Sequence, residues 1–355
     1  MVMVMAGGTG GHVFPGLAVA EYLRNQGVDV IWLGTRAGLE ARAIPAAGFD
    51  IDWISIRGLR RRGLLGWFLF PVTLTIAMVQ AWRILLRRRP NVVLAMGGFV
   101  AGPGGLVAWL TRKPLLIHEQ NAVPGLTNRW MARVADEVLC GFPGTFRNAP
   151  RARHVGNPVR REIATLPAPG KTSQLPGALS LLVLGGSQGA QIFNEVVPET
   201  LRLLSGDSLP DVWHQCGRSW TESTEAAYEG IASAHRVTPF IDDMAAAYRW
   251  ADLVICRAGA MTIAELCAAG CAAILVPYPH AVDDHQTANA RFLADREAAV
   301  LLPQGEFAPP RLRDLLKQLG RNRDVLTKIA VNARRCAVPD AAETVGQACL
   351  EAMHA

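Results

Sequence analysis

Residues 2–12 read VMVMAGGTGGH, a short apolar run followed at once by four glycines around a threonine. Residues 181–190 read LLVLGGSQGA and repeat the arrangement in the second half of the chain. A glycine-rich turn between a strand and a helix lets backbone N–H groups approach an anion without a Cβ in the way, and the helix N-terminus adds a partial positive charge. The repeat therefore predicts two domains of similar design, each with an anion site after its first strand.

Short apolar runs alternate with stretches of helical length on both sides of this repeat, which is typical of parallel sheets covered by helices. The predicted strands are 2–5, 28–33, 92–95, 115–118, 137–140, 181–184, 212–215, 237–240, 253–256 and 273–276. At 355 residues the chain is long enough for about two domains, and a stretch rich in Pro and Gly separates the halves. We expect an α/β protein with two doubly wound domains that face each other across a cleft.

The domain boundaries follow from that break. We expect an N-terminal domain over residues 1–157 and a C-terminal domain over residues 158–335. Residues 336–355 are expected to end in a helix. Whether that helix packs on the N-terminal or on the C-terminal domain stays open.

Charge is distributed unevenly. Residues 1–157 carry 18 Lys and Arg against 8 Asp and Glu, whereas the remainder carries 18 against 22. The first half is therefore expected to meet an anionic partner, and a nucleic acid is disfavoured because no nucleic-acid motif is present. Seven cysteines without a CxxC pair and an N-terminal run too short for an export signal favour the cytoplasm.

Residues 64–82 read LLGWFLFPVTLTIAMVQAW, an uncharged stretch with arginines on both sides. Its length approaches the roughly 20 residues that cross a bilayer, but Pro71 would interrupt a helix. Three interpretations stay open: a membrane span, a buried helix with a basic rim, and a surface element. The last is favoured, with apolar side chains in the membrane interface and arginines on anionic lipid phosphates.

Polar residues follow several predicted strands. Residues 257–265 read RAGAMTIAE, and the carboxylate of Glu265 suits the two hydroxyls of a ribose, although it could also complement the helix dipole. The clusters HEQN (118–121) and DDHQTAN (283–289) carry amides that suit sugar hydroxyls. Neither glycine turn continues to a Walker lysine, and the dinucleotide fingerprint lacks its third glycine and its ribose carboxylate. Hydride transfer is therefore disfavoured.

Seven motifs in one order carry a family resemblance: GGTGGHVFPGLAVA (7–20), GGFV with GP (97–103), HEQNAVPG (118–125), GNPVR (156–160), GGSQGA (185–190), RAGAMTIAEL (257–266) and DDHQTANA (283–290). Over about residues 5–290 the chain resembles the bacterial enzymes that add N-acetylglucosamine to the lipid-linked muramyl-pentapeptide precursor of peptidoglycan. The resemblance implies a GT-B glycosyltransferase with two Rossmann-like domains. It also implies a peripheral position on the cytoplasmic face of the inner membrane.

The resemblance further implies the substrates and their sites. UDP-N-acetylglucosamine would be held mainly by the second domain, and the undecaprenyl-diphosphate-linked acceptor mainly by the first. No cofactor is expected, and no metal, although Asp242–Asp243 and Asp283–Asp284 keep a metal as a weak alternative. The implied contacts are Thr9, Gly10 and Gly11 near the donor phosphates and the acceptor diphosphate, Asn121 on the donor sugar, Arg160 and Ser187 on the nucleotide and its phosphates, Ile241 on uracil through its backbone, Ala260, Met261, Thr262, Ile263, Ala264 and Glu265 around phosphate and ribose, and Gln286 on the sugar hydroxyls.

The implied reaction inverts the sugar carbon while UDP departs. Helix N-termini and Arg160 suit the charge of the leaving diphosphate. The acceptor hydroxyl, the C4 hydroxyl of the muramyl sugar, needs a base as the new bond forms. His12 is favoured for this role over Glu119, and a purely positioning role for both is a further alternative.

Other functions remain as rivals. Another GT-B protein, such as a UDP-sugar 2-epimerase or a diacylglycerol glycosyltransferase, is disfavoured by the HEQN segment and the paired glycine turns. A non-catalytic UDP-sugar sensor would leave His12 and Glu119 without a role. A Rossmann dehydrogenase is opposed by the missing ribose carboxylate.

Overall fold

The chain forms two compact units, Met1–Arg160 with Val338–Ala355, and Arg161–Ala337. The computed structural model describes residues 1–56, 70–146, 151–168, 178–186, 188–204 and 209–354. Each unit contains one parallel sheet. All ten predicted strands are confirmed, with ends that differ from the prediction by up to two residues.

The first unit is built on a seven-stranded parallel sheet in the order β3-β2-β1-β4-β5-β6-β7. Strands β1 to β7 are Val2–Ala6, Val30–Gly34, Asp50–Trp53, Val92–Gly97, Leu115–Glu119, Glu137–Cys140 and Ala152–His154. Helices α1 to α5 are Gly10–Asn25, Glu40–Ala46, Phe70–Arg88, Gly98–Leu110 and Leu126–Met131. The strand order reverses between β1 and β4, and ligands of such sheets bind beyond the carboxyl ends of the strands at that point.

The position of strand β1 in the sheet explains why all of its residues are apolar. Val2 and Val4 pack in the cluster that includes residues of α1, whereas Met3 and Met5 pack in the cluster on the other face with residues of α3 and α4. Because side chains of a strand alternate between the faces of a sheet, a strand covered on both faces is apolar throughout. All five residues of β1 are accordingly buried.

The C-terminal helix, Ala341–His354, belongs to the first unit. Val345, Ala348 and Cys349 are buried in the same cluster as Val2 and Val4 of β1. Gly346 lies directly against the ring of Tyr22 in α1, where a Cβ would collide with the ring. The helix therefore covers the sheet beside α1.

The second unit is built on a six-stranded parallel sheet in the order β10-β9-β8-β11-β12-β13. Strands β8 to β13 are Ser180–Leu184, Asp211–Gln215, His235–Thr238, Leu253–Cys256, Ala272–Leu275 and Val300–Leu301. Helices α6 to α13 are Arg161–Ala164, Gln191–Arg202, Thr221–Tyr228, Met244–Trp250, Ala260–Ala269, His285–Ala294, Pro309–Arg321 and Arg323–Arg335. Its strand order reverses between β8 and β11, which repeats the plan of the first unit.

Helix α3 contains most of the uncharged stretch 64–82, of which residues 64–69 lie outside the described part, as do Arg60, Arg61 and Arg62. One face of α3 is buried through Ala77, Ala81 and Leu85. Pro71 lies in its first turn, where a missing N–H is tolerated. Among the helices that the structure describes, none is long and apolar enough to cross a membrane.

Candidate active site

The glycine turn after β1 is fastened by Glu40, a residue that the sequence did not single out. The N–H of Gly8 donates to Glu40 Oε2 at 2.9 Å. The N–H and the hydroxyl of Thr35 donate to Glu40 Oε1 at 3.0 and 2.8 Å. The Glu40 side chain is fully buried. A carboxylate therefore ties the turn after β1 to the end of β2.

The turns after β1 and β4 touch through backbone atoms. Gly98 has φ +77°, and a Cβ at that position would collide with the carbonyl oxygen of Gly7. A Cβ on Gly97 would lie 3.0 Å from Nδ1 of His12. The GGFV motif therefore leaves room for the close approach of two turns and for the imidazole of His12.

His12 lies in the first turn of α1 and is connected to the end of β5. Its Nδ1 lies 2.8 Å from Oε1 of Gln120. Nε2 of Gln120 lies 3.0 Å from Nδ1 of His118, and Nε2 of His118 lies 2.9 Å from the carbonyl oxygen of Gly156. Burial lowers the pKa of His118 to about 4, although its bond to Gly156 acts in the opposite direction. His118 is therefore neutral at pH 7.

Glu119, the other candidate base, has both carboxylate oxygens occupied. Oε1 accepts from the N–H of Asn121 at 2.9 Å and from its Nδ2 at 3.2 Å. Oε2 accepts from the N–H of Gly125 at 3.0 Å and from Nδ2 of Asn128 at 2.9 Å. The side chain is buried. This arrangement suits a residue that holds the loop after β5 and orients Asn121.

The GNPVR motif lies beside the HEQN motif. Nδ2 of Asn157 donates to the carbonyl of Gln120 at 3.0 Å. The guanidinium carbon of Arg160 lies 5.6 Å from the ring centroid of Phe14 in α1. The structure therefore brings His12, Glu119, Asn121 and Arg160 to the carboxyl end of one sheet, together with Thr9, Gly10 and Gly11 at the start of α1.

The glycine turn after β8 is fastened by a neutral side chain, Gln215. Its Oε1 accepts from the N–H of Gly186 at 2.9 Å, and its Nε2 donates to the carbonyls of Gly186 and Pro239 at 2.9 and 3.1 Å. Gly189 has φ +78°, and a Cβ there would collide with the carbonyl oxygen of Cys216. Ser187, expected on the nucleotide phosphates, lies outside the described residues.

Helix α10 contains the six expected contacts Ala260 to Glu265. Ile263 is buried in the core, and its N–H donates to the carbonyl of Gly259 at 2.9 Å. Ala260 is also buried, whereas Met261, Thr262, Ala264 and Glu265 are half-buried. The side chain of Ile263 therefore serves the core, and an anion at this segment would be bound by the N–H groups at the start of α10.

Glu265 is oriented by Tyr248, which the sequence did not single out. The hydroxyl of Tyr248 donates to Glu265 Oε2 at 3.0 Å. Burial raises the pKa of Tyr248 well above its ordinary value, and the charge of Glu265 adds to that shift. The hydroxyl therefore stays a donor and fixes one oxygen of the carboxylate.

Gln286 and Ile241 are the remaining expected contacts of the second unit. Oε1 of Gln286 accepts from the N–H of Tyr278 at 2.8 Å, which leaves the amide NH2 group to donate to hydroxyls. The side chain of Ile241 is buried. Nδ2 of Asn289 donates to the carbonyl of Ala258 at 3.1 Å and so ties α11 to the turn before α10.

Three residues with a supporting role were missed, namely Glu40, Gln215 and Tyr248. Gln215 carries a signal, because it is a polar residue at the carboxyl end of a predicted strand. Glu40 and Tyr248 lie on helices without any such signal. Within the described ranges, no group of three or more His, Cys, Asp or Glu side chains could hold a metal ion.

Comparison with known proteins agrees with this geometry. The glycosyltransferase family 28 N-terminal domain matches residues 2–140, and the glycosyltransferase family 28 C-terminal domain matches residues 180–345. Crystal structures at low identity show the same fold, for example the calicheamicin glycosyltransferase CalG4 with a TM-score of 0.69, 15% identity and 99% and 98% coverage of the two chains. Two Rossmann-like units with these neighbours define a glycosyltransferase of the GT-B class.

Relatives at high identity carry one name, UDP-N-acetylglucosamine--N-acetylmuramyl-(pentapeptide) pyrophosphoryl-undecaprenol N-acetylglucosamine transferase. The protein of Nitrosococcus oceani is 53% identical over 99% of this chain and 98% of its own length. That of Alkalilimnicola ehrlichii is 54% identical over the same shares. The crystal structure of Acinetobacter baumannii MurG has a TM-score of 0.84, 42% identity and 99% coverage of both chains. The chain therefore belongs to glycosyltransferase family 28 and, within it, to this group of N-acetylglucosaminyltransferases.

Proposed function

We propose that this chain transfers N-acetylglucosamine from UDP-N-acetylglucosamine to the C4 hydroxyl of the muramyl sugar in an undecaprenyl-diphosphate-linked pentapeptide acceptor. The product is the lipid-linked disaccharide used in peptidoglycan synthesis. The observation that carries the proposal is the match to relatives of that name over 99% of the chain at 53% identity. The described side chains supply the groups that such a transfer needs.

The second unit is the donor unit in this proposal. Glu265, held by Tyr248, accepts hydrogen bonds from the ribose hydroxyls, and the backbone of Ile241 pairs with uracil. The glycine turn after β8, with Ser187, and the N-terminus of α10 receive the diphosphate. Gln286 donates from its amide to the sugar hydroxyls.

The first unit is the acceptor unit and supplies the base. Thr9, Gly10 and Gly11 receive the acceptor diphosphate, and His12 accepts the proton of the acceptor hydroxyl. Glu119 already accepts four hydrogen bonds, which supports a role in orienting Asn121 rather than a role as base. Arg160 and the helix N-termini stabilise the charge of the leaving diphosphate.

The test is an assay of acceptor-dependent transfer. Purified protein is mixed with UDP-N-acetylglucosamine and a short-chain analogue of the lipid acceptor, and UDP and the disaccharide are quantified. We expect both products in equal amounts and only when the acceptor is present. UDP binding without acceptor-dependent product would instead support a UDP-sugar sensor.

We further propose that the protein is peripheral on the cytoplasmic face of the inner membrane and docks through α3. Val72, Ile76, Val79 and Leu86 form an exposed apolar row on this helix at spacings of one helical face. Arg83 is exposed within this row, and Arg89 is exposed just beyond the end of the helix. Arg87 and Arg88 both bind Asp52, so they are less suited to lipid phosphates than the sequence suggested.

The docking proposal is tested by sedimentation with vesicles that contain an anionic lipid. Ile76→Glu places a charge on the apolar row and is expected to reduce vesicle binding without changing UDP affinity. Leu203→Glu in the second unit is the matched control, because Leu203 is 45% exposed and Ile76 is 46% exposed. Equal loss of vesicle binding in both variants would contradict docking through α3.

A further inference from the structure

A chain of four hydrogen-bonding groups runs from a backbone carbonyl to His12. The carbonyl of Gly156 is its first group. Because a carbonyl oxygen only accepts, Nε2 of His118, which lies 2.9 Å away, must donate. A neutral imidazole that donates from Nε2 has its lone pair on Nδ1. Nδ1 of His118 therefore accepts from the amide nitrogen of Gln120 at 3.0 Å.

The orientation of the Gln120 amide fixes the direction of the remaining hydrogen bonds in this series. Its Nε2 also lies 3.2 Å from the carbonyl oxygen of His118, a second acceptor on the same side. Oε1 of Gln120 consequently points to Nδ1 of His12 at 2.8 Å. Because a carbonyl oxygen only accepts, Nδ1 of His12 carries the proton.

We propose that Gln120 and His118 are positioning residues that fix His12 in the tautomer with its proton on Nδ1, so that Nε2 presents a lone pair to the acceptor hydroxyl. The proposal rests on the proposed function in taking His12 as the base. It explains why the polar residues His118 and Gln120 lie at the end of a buried strand. It also gives the GNPVR motif a role, because Gly156 anchors His118 and Asn157 holds the backbone of Gln120.

The same arrangement serves the base after the proton has moved. The hydroxyl proton passes to Nε2 of His12 as the hydroxyl oxygen bonds to the anomeric carbon. The bond from that carbon to the diphosphate oxygen breaks, and its electron pair leaves with UDP. His12 is then protonated on both nitrogens, and Oε1 of Gln120 still accepts from Nδ1, so no group has to reorient during the reaction.

His118 is suited to the far end of the chain because it stays neutral. Burial lowers its pKa to about 4, so its Nδ1 keeps a lone pair for Gln120 at physiological pH. An amide such as Gln120 does not take up a proton at this pH. The proton accepted by His12 therefore leaves through Nε2 and not along the chain.

The experiment is nitrogen NMR of the full-length protein with ¹⁵N-labelled histidine, which distinguishes a protonated ring nitrogen from an unprotonated one. The signals are assigned by comparison with His12→Ala. In the wild type at pH 7.5 we expect Nδ1 of His12 to be protonated and Nε2 to be unprotonated. A wild-type His12 with the proton on Nε2 would overturn the proposal, and this result needs no variant of Gln120 or His118.

The variant Gln120→Met keeps the length of the side chain and removes its hydrogen bonds to His12 and His118. We expect His12 to lose the preference for Nδ1–H and kcat to fall about 10- to 100-fold, with the KM for the donor within about twofold. Gln347→Met, at an exposed glutamine of the C-terminal helix, is the matched control and should change neither. An unchanged tautomer in Gln120→Met would refute the role of Gln120.

Two results distinguish a failure of this positioning proposal from a failure of the proposed role of His12 as base. If His12 has the expected tautomer but His12→Ala transfers sugar at the wild-type rate, the hydrogen-bond chain is correct and His12 is not the base. If transfer depends on His12 while its proton lies on Nε2, the base is correct and the positioning proposal fails.

Discussion

The two glycine turns have similar sequences but are held by side chains of different charge. The turn after β1 is held by the buried carboxylate of Glu40, and the turn after β8 by the neutral amide of Gln215. Both side chains accept from a glycine N–H, at Gly8 and at Gly186 respectively, both at 2.9 Å. The similarity of the motifs therefore conceals an electrostatic difference between the two units.

This difference bears on where an anion is best received. A unit charge about 7 Å from a phosphate, at an effective dielectric constant of about 20, opposes it by about 2 kcal/mol. Gln215 fixes the second turn without that cost, whereas Glu40 opposes an anion at the first. The comparison supports the second turn as a site for the donor diphosphate. At the first turn, the acceptor diphosphate proposed for Thr9, Gly10 and Gly11 would bind against this repulsion and depend on the N-terminus of α1, while Glu40 holds the turn in place beside His12.

The largest effect is expected for Gly189→Ala. A Cβ there would collide with the carbonyl of Cys216 and would force a left-handed backbone on alanine, so the second unit should lose about 3–5 kcal/mol of unfolding free energy. Gly186→Ala is the control, since it has a similar φ of +80° but no atom within 4 Å of the added Cβ. It should cost about 1 kcal/mol in urea denaturation, and equal losses would mean that crowding is not the cause.

The second-largest effect is expected when the side chain that holds the turn after β8 becomes charged. Gln215→Glu places a carboxylate oxygen against the carbonyls of Gly186 and Pro239, which repel it, and adds a negative charge beside the turn. We expect the Kd for UDP, measured by calorimetry, to rise about 30- to 100-fold.

The reciprocal change, Glu40→Gln, is the control for that charge. Its amide NH2 group would face the N–H of Gly8 or the donors of Thr35, so the first unit should lose about 1–3 kcal/mol of stability. The Kd for UDP should stay within about twofold. A rise in Kd as large as in Gln215→Glu would contradict the assignment of the donor to the second unit.

Acid should destabilise both units to a smaller extent, over different pH ranges. Burial lowers the pKa of His118 in the first unit to about 4 and that of His214 in the second to about 3, from an ordinary 6.5. Below pH 6.5 the unfolded chain takes up protons that the folded chain does not. The free energy of unfolding is therefore at its full value above that pH and falls on acidification. Each histidine should remove about 2 kcal/mol by pH 5.

Hydrogen exchange resolved by peptide can measure this loss for each unit separately. The contribution of His118 should level off below about pH 4, while that of His214 continues toward pH 3. His214→Gln, which keeps a polar partner for the hydroxyl of Tyr228, should flatten the pH dependence of the second unit alone. A flattened first unit in the same variant would contradict independent titration.

The strands that the sequence did not predict lie at sheet edges. They are β3, β7 and β13, of which β3 reads DIDW and β13 has only two residues. Strands in the middle of a parallel sheet are apolar throughout because both faces are covered, whereas an edge strand has weaker burial and a weaker pattern. Strand β10, also at an edge, was placed two residues too late for the same reason.

The residues of the site also divide into those that the sequence indicates and those that only the fold reveals. The positions of the glycine turns and of the polar strand ends were predictable, because turn geometry and the ends of buried strands restrict residue type locally. Glu40 and Tyr248 were not, because each acts on a residue 17 or 32 positions away that only the fold brings near. Gln215 has a strand-end signal, but its partner Gly186 is 29 positions away. Likewise the hydrogen bonds that occupy Glu119 emerge only from the folded loop after β5.

The most direct test of the whole account is the transfer rate of His12→Ala at saturating donor and acceptor. We expect a fall of about 10²- to 10⁴-fold in kcat, with the Kd for UDP within about twofold of the wild-type value. Turnover at the wild-type rate in this variant would contradict the assignment of His12 as the base on the first unit.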